Sequence, residues 1–176
     1  TSQQFNSMGY WQQLAKTLER GLFDGIFLAD VSGVYDVCEG SPDAALRAAM
    51  QIPTNDPFTV VPVMASVTQN LCFGVTGSIP YEPPYSFARK MSSLDHLTDG
   101  RMGWNIVTGY LDSAAKGIGQ DKKKAHDTRY EIAHEYMQVV YGLWQSSWDD
   151  DAVIRDREKG IFTDPEKVRP VKHLSL

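Results

Sequence analysis

The sequence predicts an α/β protein built on a parallel sheet. Segments with helical spacing alternate with short apolar segments from residue 8 to residue 145. The apolar segments carry few polar residues, which is typical of strands buried on both faces in a parallel sheet. Such alternation implies βαβ units, as in a doubly wound open sheet or a (β/α)8 barrel. Three recognisable strands are too few for a barrel, which needs roughly 200 residues or more. The chain is therefore either a small open sheet or part of a larger fold.

The first elements are a helix, a strand and a long excursion. Apolar residues at helical spacing predict a helix over Met8–Arg20, with Gly21 as its C-cap. The apolar run 25–29 predicts the first strand. Residues 31–55 then form an insertion loop, with a short helix near 41–44 where a serine can cap and a proline suits the first turn.

The remaining elements follow in the order helix, strand, helix, strand, helix. They cover 56–67, 71–79, Pro84–Leu97, Met102–Val107 and 127–145. The helices are identified by helical spacing, and the strands by runs of β-branched and apolar residues. The whole chain is predicted to belong to a single domain, with an irregular tail over 148–176.

Composition and motifs exclude several function classes. A net charge of −5 argues against a general nucleic-acid binder. No run of 18 apolar residues predicts a membrane span, and the first residues do not resemble a secretory signal. Cys38 and Cys72 form no CxxC pair, so a reduced cytoplasmic protein is the favoured interpretation. The four histidines lack metal-ligand spacing, and no GxGxxG motif follows a strand.

Polar residues at the strand ends are the first candidates for a site, because ligands of parallel α/β proteins bind at the carboxyl ends of the strands. Asp30 follows the first strand, Thr76 and Ser78 lie near the end of the second, and Asn105 and Thr108 lie in or after the third. Asp30 could instead cap a loop, and Thr76 could be an ordinary strand residue. A buried amide such as that of Asn105 needs a hydrogen-bond partner, from a ligand or a neighbouring strand, and we favour a ligand.

His126 and Tyr130 form a second candidate pair. They are four residues apart and share one helix face where the last helix begins. A helix N-terminus offers free N–H groups and the positive end of the helix dipole, which suits a phosphate. On spacing alone, a solvated first turn is the stronger interpretation.

Several ordered motifs carry a family resemblance. The stretch 81–90 reads YEPPYSFARK, and it is followed by LDHL at 94–97, GR at 100–101, GWNIVT at 103–108, YLDSAA at 110–115, HD at 126–127 and RYE at 129–131. Upstream, LERG at 18–21 and FLAD at 27–30 belong to the same pattern. Together they resemble bacterial-luciferase-like, flavin-dependent monooxygenases. The family includes nitrilotriacetate monooxygenase component A, pristinamycin IIA synthase and dibenzothiophene-sulfone monooxygenase, of which the last looks nearest.

The resemblance implies a (β/α)8 TIM barrel, of which this chain would be an N-terminal portion with about three parallel strands. It implies FMNH2 bound at the strand ends, O2 as co-substrate, and a flavin C4a-(hydro)peroxide that oxygenates a small organic substrate. A separate NAD(P)H:flavin reductase would supply the FMNH2. The FMN-contacting positions would be Asp30, Thr76, His126 and Tyr130, with Asn105 lining the same pocket. No catalytic residue and no metal site is assigned.

Two departures from the family pattern lead us to expect a fragment. No strand is visible before the first helix, and family members continue past His173 with a further phosphate-contacting serine. A partial barrel would expose strand edges and apolar surface, so we expect a homo-oligomer or a partner chain. The alternative function is a truncated, inactive relative that acts as a flavin-binding or protein-interaction module. A small flavodoxin-like FMN carrier fits the alternation but not the motifs.

Overall fold

The computed structural model describes residues 4–173, which form helices and strands in alternating order. The helices are α1 (Met8–Arg20), α2 (Asp43–Arg47), α3 (Pro57–Ala65), α4 (Pro84–Leu97), α5 (Asp112–Gly117) and α6 (His126–Gln145), with 3-10 turns at Ile79–Tyr81 and Pro165–Lys167. The strands are β1 (Gly25–Leu28), β2 (Cys72–Ser78), β3 (Met102–Val107), β4 (Val153–Asp156) and β5 (Ile161–Thr163). The predicted α1, α4 and β3 are confirmed at both ends.

A three-stranded sheet forms the framework of the molecule. Its order is β1-β2-β3, and both pairings are parallel. The register pairs Gly25 with Cys72 and Phe73 with Met102, so the three strands start at about the same level. Helices lie between successive strands in the chain, which confirms the predicted α/β class with three parallel strands.

One face of the sheet is packed against helices. Phe73 and Val75 of β2 are fully buried, and alternation along the strand puts Gly77 on the same side. Helices α1, α3, α4 and α6 cover this side with their buried apolar residues. They include Ala15, Val61, Met64, Phe87, Met91 and Val140. We call this side the helix-covered face.

The opposite side of the sheet is only partly exposed, since Phe27, Cys72 and Gly103 are exposed whereas Thr76 is buried. It consists of Phe27, Cys72, Gly74, Thr76, Gly103 and Asn105, and we call it the open face. The register sets Phe27 beside Gly74 and Thr76 beside Asn105. The Phe27 side chain is 61% exposed, although it belongs to a strand.

The amino end of β2 is fixed to α1 by a carboxylate. Oε1 of Glu19 accepts hydrogen bonds from the backbone N–H groups of Gln69, Asn70 and Leu71, at 2.8, 2.6 and 3.2 Å. These N–H groups, that of Asn70 above all, hold the pKa of Glu19 below its ordinary value. The loop that leads into β2 is thereby tied to the last turn of α1.

The amino end of β3 has its own anchor. Nε of Arg101 donates to the carbonyl of Thr98 at 2.7 Å, and Nη1 donates to Oγ1 of Thr68 and to the carbonyl of Leu71, both at 3.0 Å. One side chain therefore connects the end of α4, the loop after α3 and the start of β2. In barrel-like α/β proteins this end of the sheet serves stability, because ligands bind at the other end.

The structure differs from the sequence-based expectation at several places. Helix α5 was not predicted, and the segment 148–176, predicted to be irregular, contains the antiparallel pair β4 and β5. The short helix in the 31–55 loop is Asp43–Arg47 rather than 41–44, and Ser41 Oγ accepts from the Asp43 N–H at 3.2 Å. Gly21 is the C-cap of α1 as expected, but its φ is −79°, and Leu22 takes the left-handed conformation instead.

Candidate functional site

The carboxyl ends of the three strands open onto a cavity. Its lining is mostly apolar and aromatic, with a few polar groups. The lining includes Asp30, Ser32, Ser78, Tyr81, Val107 and Tyr110. We call it the rim cavity. This end of a parallel sheet is where ligands of such proteins bind, and the cavity volume of about 90 Å³ is enough for part of a small organic molecule.

Asp30 is the acidic group of the rim cavity. Burial raises the pKa of its carboxyl group, and the negative charge of Asp56 adds to the rise. The N–H of Val31 and the hydroxyl of Ser32 donate to the carboxylate and oppose the shift. A partly desolvated carboxylate beside a second acid is stabilised by any further hydrogen-bond donor that a ligand presents.

Thr76 and Asn105 form a polar pair on the open face. Nδ2 of Asn105 donates to Oγ1 of Thr76 at 3.0 Å. The partner of the Asn105 amide, for which we favoured a ligand, therefore comes from the neighbouring strand. Within the described residues the amide carbonyl of Asn105 makes no hydrogen bond, so it is available as an acceptor.

Ser78 adds an unpaired hydroxyl to this region. It follows Thr76 by two residues, so alternation puts both on the same face of β2. Its Oγ is buried and makes no hydrogen bond of good geometry among residues 4–173, and only the Tyr81 hydroxyl interacts with it weakly. A buried hydroxyl without a partner is unfavourable, and a ligand with a polar edge would remove that penalty.

His126 and Tyr130 lie together at the start of α6. Their ring centroids are 4.8 Å apart, and the two side chains are 71% and 56% exposed. Nδ1 of His126 lies 2.8 Å from Oδ1 of Asp127. The N-cap residue, Ala125, provides no side-chain cap, so the N–H groups of the first helical turn have no competing side-chain acceptor there.

The five predicted site residues thus form three local groups. Thr76 is hydrogen-bonded to Asn105, the His126 ring contacts the Tyr130 ring, and Asp30 lies in the rim cavity. His126 and Tyr130 line an open groove along α6 that includes Glu131, His134, Glu135 and Gln138. In the part of the chain that the structure describes, no hydrogen bond joins one group to another.

Tyr81 and Arg129 were not selected by the sequence argument, although both lie in the quoted motifs. Burial raises the pKa of the Tyr81 phenol, while a contact with the Ser78 hydroxyl and the positive charge of Arg129 oppose the shift. A Cβ at Gly109 would lie 2.7 Å from the Tyr81 hydroxyl, and Gly109 has a φ of +72°. A glycine is therefore required there both for space and for backbone conformation.

Other kinds of site receive no support. Among residues 4–173 no group of three or more acidic, histidine or cysteine side chains is placed to hold a metal ion. Over the same residues, none of the helices combines the length and apolar character needed to cross a bilayer. Cys38 and Cys72 are both free and exposed.

Comparison with known proteins identifies a family that covers nearly the whole chain. The profile of the luciferase-like monooxygenases matches residues 1–173. Dimethyl-sulfide monooxygenase of Hyphomicrobium sulfonivorans is 56% identical over 169 residues, which are 96% of this chain and 35% of that protein. Dibenzothiophene-sulfone monooxygenase of Rhodococcus erythropolis is 42% identical over 98% of the chain and 38% of its own length, so it is the less similar of the two.

Solved structures agree with the sequence comparison. The crystal structure of long-chain alkane monooxygenase superposes with a TM-score of 0.94 at 52% identity, over 98% of this chain and 40% of that one. The crystal structure of a riboflavin lyase with modified FMN and riboflavin has a TM-score of 0.89 at 39% identity, over 98% of this chain and 38% of that one. The described fold therefore corresponds to little more than a third of these proteins.

Proposed function

Because this chain belongs to the luciferase-like monooxygenase family, we propose that it provides the flavin-binding face of an FMN-dependent monooxygenase. The overall reaction transfers one oxygen atom of O2 to a small organic substrate and releases the other as water. Reduced FMN supplies the two electrons and leaves as oxidised FMN. A separate NAD(P)H:flavin reductase regenerates it. The observation that carries the proposal is that Asp30, Ser78 and the Thr76–Asn105 pair all lie at or near the carboxyl ends of the strands.

The residues of the open face fit a flavin. A flavin ring has a flat surface and one edge that both donates and accepts hydrogen bonds. Gly74 and Gly103 leave the open face without side chains at two adjacent register positions. The free carbonyl of Asn105 and the unpaired Ser78 hydroxyl lie further toward the carboxyl end and suit the polar edge. The solved riboflavin lyase, which contains a modified FMN, supports this choice of ligand.

His126 and Tyr130 would hold the phosphate end of FMN. The uncapped N–H groups of α6 and the positive end of its dipole favour an anion there. The imidazole and the phenol can each donate a hydrogen bond to a phosphate oxygen. Asp127 lies beside His126, with its Oδ1 2.8 Å from Nδ1, and its negative charge reduces the attraction for an anion there.

The rim cavity, with a volume of about 90 Å³, would receive the reacting end of a small substrate. Val31, Val107, Leu111 and Ala114 contribute to its lining, so it favours a molecule with little charge. The residues of the chain bind and orient the reactants and exclude water, and no acid or base is assigned to the oxygen transfer. Free, exposed cysteines fit a reducing compartment, and a cytoplasmic location is part of the proposal.

An anaerobic fluorescence titration with reduced FMN tests the proposal. Tyr130→Phe and His126→Ala should each weaken FMN binding by about 1–3 kcal/mol, because each removes a hydrogen bond to phosphate. Riboflavin, which lacks the phosphate, should bind both variants as it binds the unchanged protein. Tyr141→Phe, another exposed tyrosine of α6, is the matched control and should bind FMN normally. Absence of saturable binding at near-millimolar reduced FMN would exclude the proposal.

A second candidate function is a flavin-binding or interaction module without turnover. The exposed Phe27 on the open face favours it, because an uncovered aromatic ring on a sheet supports association with another chain. The edge strands β1 and β3 favour a homo-oligomer or a partner for the same reason. Saturable flavin binding without oxygen consumption in the presence of a flavin reductase would identify the module.

A further inference from the structure

A second cavity lies behind the rim cavity and has a basic lining. It is enclosed by the 3-10 turn Ile79–Tyr81, the loop after β3 and the first turns of α6. Its polar lining consists of Tyr81, Thr108, Gln120, Lys123, Lys124 and Arg129. We call it the basic cavity. Its volume of about 90 Å³ has room for a small ion but not for a flavin ring.

The positive charges of the basic cavity are only partly compensated. Nζ of Lys123 lies 3.3 Å from Oδ1 of Asp112 and forms an ion pair. Lys124 and Arg129 take part in no ion pair with any described residue. Two cationic side chains therefore line a small cavity without carboxylate partners, and such an arrangement attracts an anion.

Arg129 is held in place but is not saturated with hydrogen bonds. Its Nη1 donates to the backbone carbonyl of Lys124 at 2.7 Å, which fixes the guanidinium against the loop. Its Nε is buried and has no partner among residues 4–173. A buried guanidinium N–H without an acceptor is unfavourable, and a charged oxygen acceptor would form one of the stronger hydrogen bonds in proteins.

The basic cavity is separate from the groove proposed for the flavin phosphate. The two share no lining residue, because Arg129 and Ile132 face the basic cavity while His126 and Tyr130 line the groove. Tyr81 and Gly109 line both the basic cavity and the rim cavity, so they form a common wall. An anion in the basic cavity would therefore lie next to the substrate cavity.

We propose that the basic cavity binds a small oxyanion, such as a phosphate, a sulfate or the carboxylate of a small molecule, at a site distinct from that of the flavin phosphate. Lys124 and Arg129 provide the charge. Thr108, Gln120 and the Tyr81 hydroxyl provide neutral donors in the same lining.

Calorimetric titration with inorganic phosphate, at constant ionic strength and without flavin, tests this site. The unchanged protein should bind phosphate saturably in the millimolar range. Lys124→Gln should weaken that binding about tenfold, the effect of losing one charge-assisted hydrogen bond. Lys122→Gln is the matched control, since Lys122 is the neighbouring lysine in the chain but does not line the cavity, and it should bind phosphate normally. Arg129→Gln should abolish binding, with its folding checked by circular dichroism.

Two further arms decide the source of the anion. In His126→Ala, which impairs the groove proposed for the flavin phosphate, the part of the phosphate binding that depends on Lys124 should remain, and oxidised FMN should not displace that part. Displacement by FMN would assign the cavity to the flavin phosphate and overturn the proposal of a separate site. If Lys122→Gln and Lys124→Gln weaken phosphate binding equally, the binding comes from the general positive charge of the surface, and the proposed site is refuted. Absence of saturable phosphate binding would also overturn it, and none of these results depends on flavin turnover.

Discussion

Replacing Gly77 by alanine tests the packing of the helix-covered face. A Cβ at this position would lie 2.7 Å from Trp104 Nε1, 3.0 Å from Phe58 Cζ and 3.1 Å from Phe87 Cε2. Phe58 and Phe87 belong to the buried core and have little room to move. The Trp104 indole donates to the Gly77 carbonyl at 3.0 Å, so it cannot retreat without losing that hydrogen bond.

The expected loss in the free energy of unfolding is about 2 kcal/mol. Overpacking contributes about 1–3 kcal/mol and the weakened hydrogen bond about 1 kcal/mol, while replacing a strand glycine returns about 0.5–1 kcal/mol. Urea denaturation measures the difference. Gly103→Ala is the control on the open face, because its Cβ would meet nothing closer than 3.7 Å, and it should be neutral or slightly stabilising. Equal losses in the two variants would refute the assignment of the two faces.

Three further variants test the anchors and the polar pair. Backbone N–H groups lower the pKa of Glu19, so the carboxylate stabilises the fold above the ordinary glutamate pKa, and this stabilisation is lost as the pH falls through the lowered pKa. The urea midpoint of Glu19→Gln should therefore fall less at acid pH than that of the unchanged protein. An equal fall of the two midpoints would contradict this. Arg101→Met should lower the unfolding free energy by about 2–4 kcal/mol, because it leaves two backbone carbonyls and a hydroxyl without their donor; an unchanged urea midpoint would exclude the anchor. Thr76→Val should lower stability by about 1 kcal/mol by removing the acceptor of the Asn105 amide, and it should also weaken reduced-FMN binding in the fluorescence titration; unaltered flavin affinity would remove Thr76 from the proposed site.

Elements with strong local signals could be predicted from the sequence. Helix α4 begins at a proline and ends before Asp99 and Gly100, whose φ values of 53° and 77° cannot continue a helix. Helix α5 has six residues, too few to show helical periodicity, and it is fixed by the hydrogen bond from Ser113 Oγ to the Val34 carbonyl at 2.8 Å. Strands β4 and β5, with four and three residues, are likewise too short to show a strand pattern in the sequence.

The candidate site was only partly predictable, because some of its groups meet through the path of loops. Spacing predicted that His126 and Tyr130 share a face, and the ring contact at 4.8 Å confirms this, while their role toward FMN stays a prediction. Asp56 raises the pKa of Asp30 because the 31–55 loop folds back and brings the two carboxyl groups near each other, and no local sequence pattern encodes that path. The approach of Arg129 to Tyr81 depends likewise on the loop between β3 and α6.

The hydrogen bonds of Glu19 and Arg101 fix the amino end of the sheet independently of the loops at its carboxyl end. They join α1, the loop before β2 and the start of β3 at the amino end of the sheet. The 31–55 loop and the segment between β3 and α6 lie beyond the opposite ends of the strands and take no part in these hydrogen bonds. Those two segments are instead joined to each other, by the hydrogen bonds between Ser113 and Val34 and between Tyr35 and Tyr110. Replacing the two segments together by those of a relative should therefore leave the hydrogen bonds at the amino end of the sheet intact.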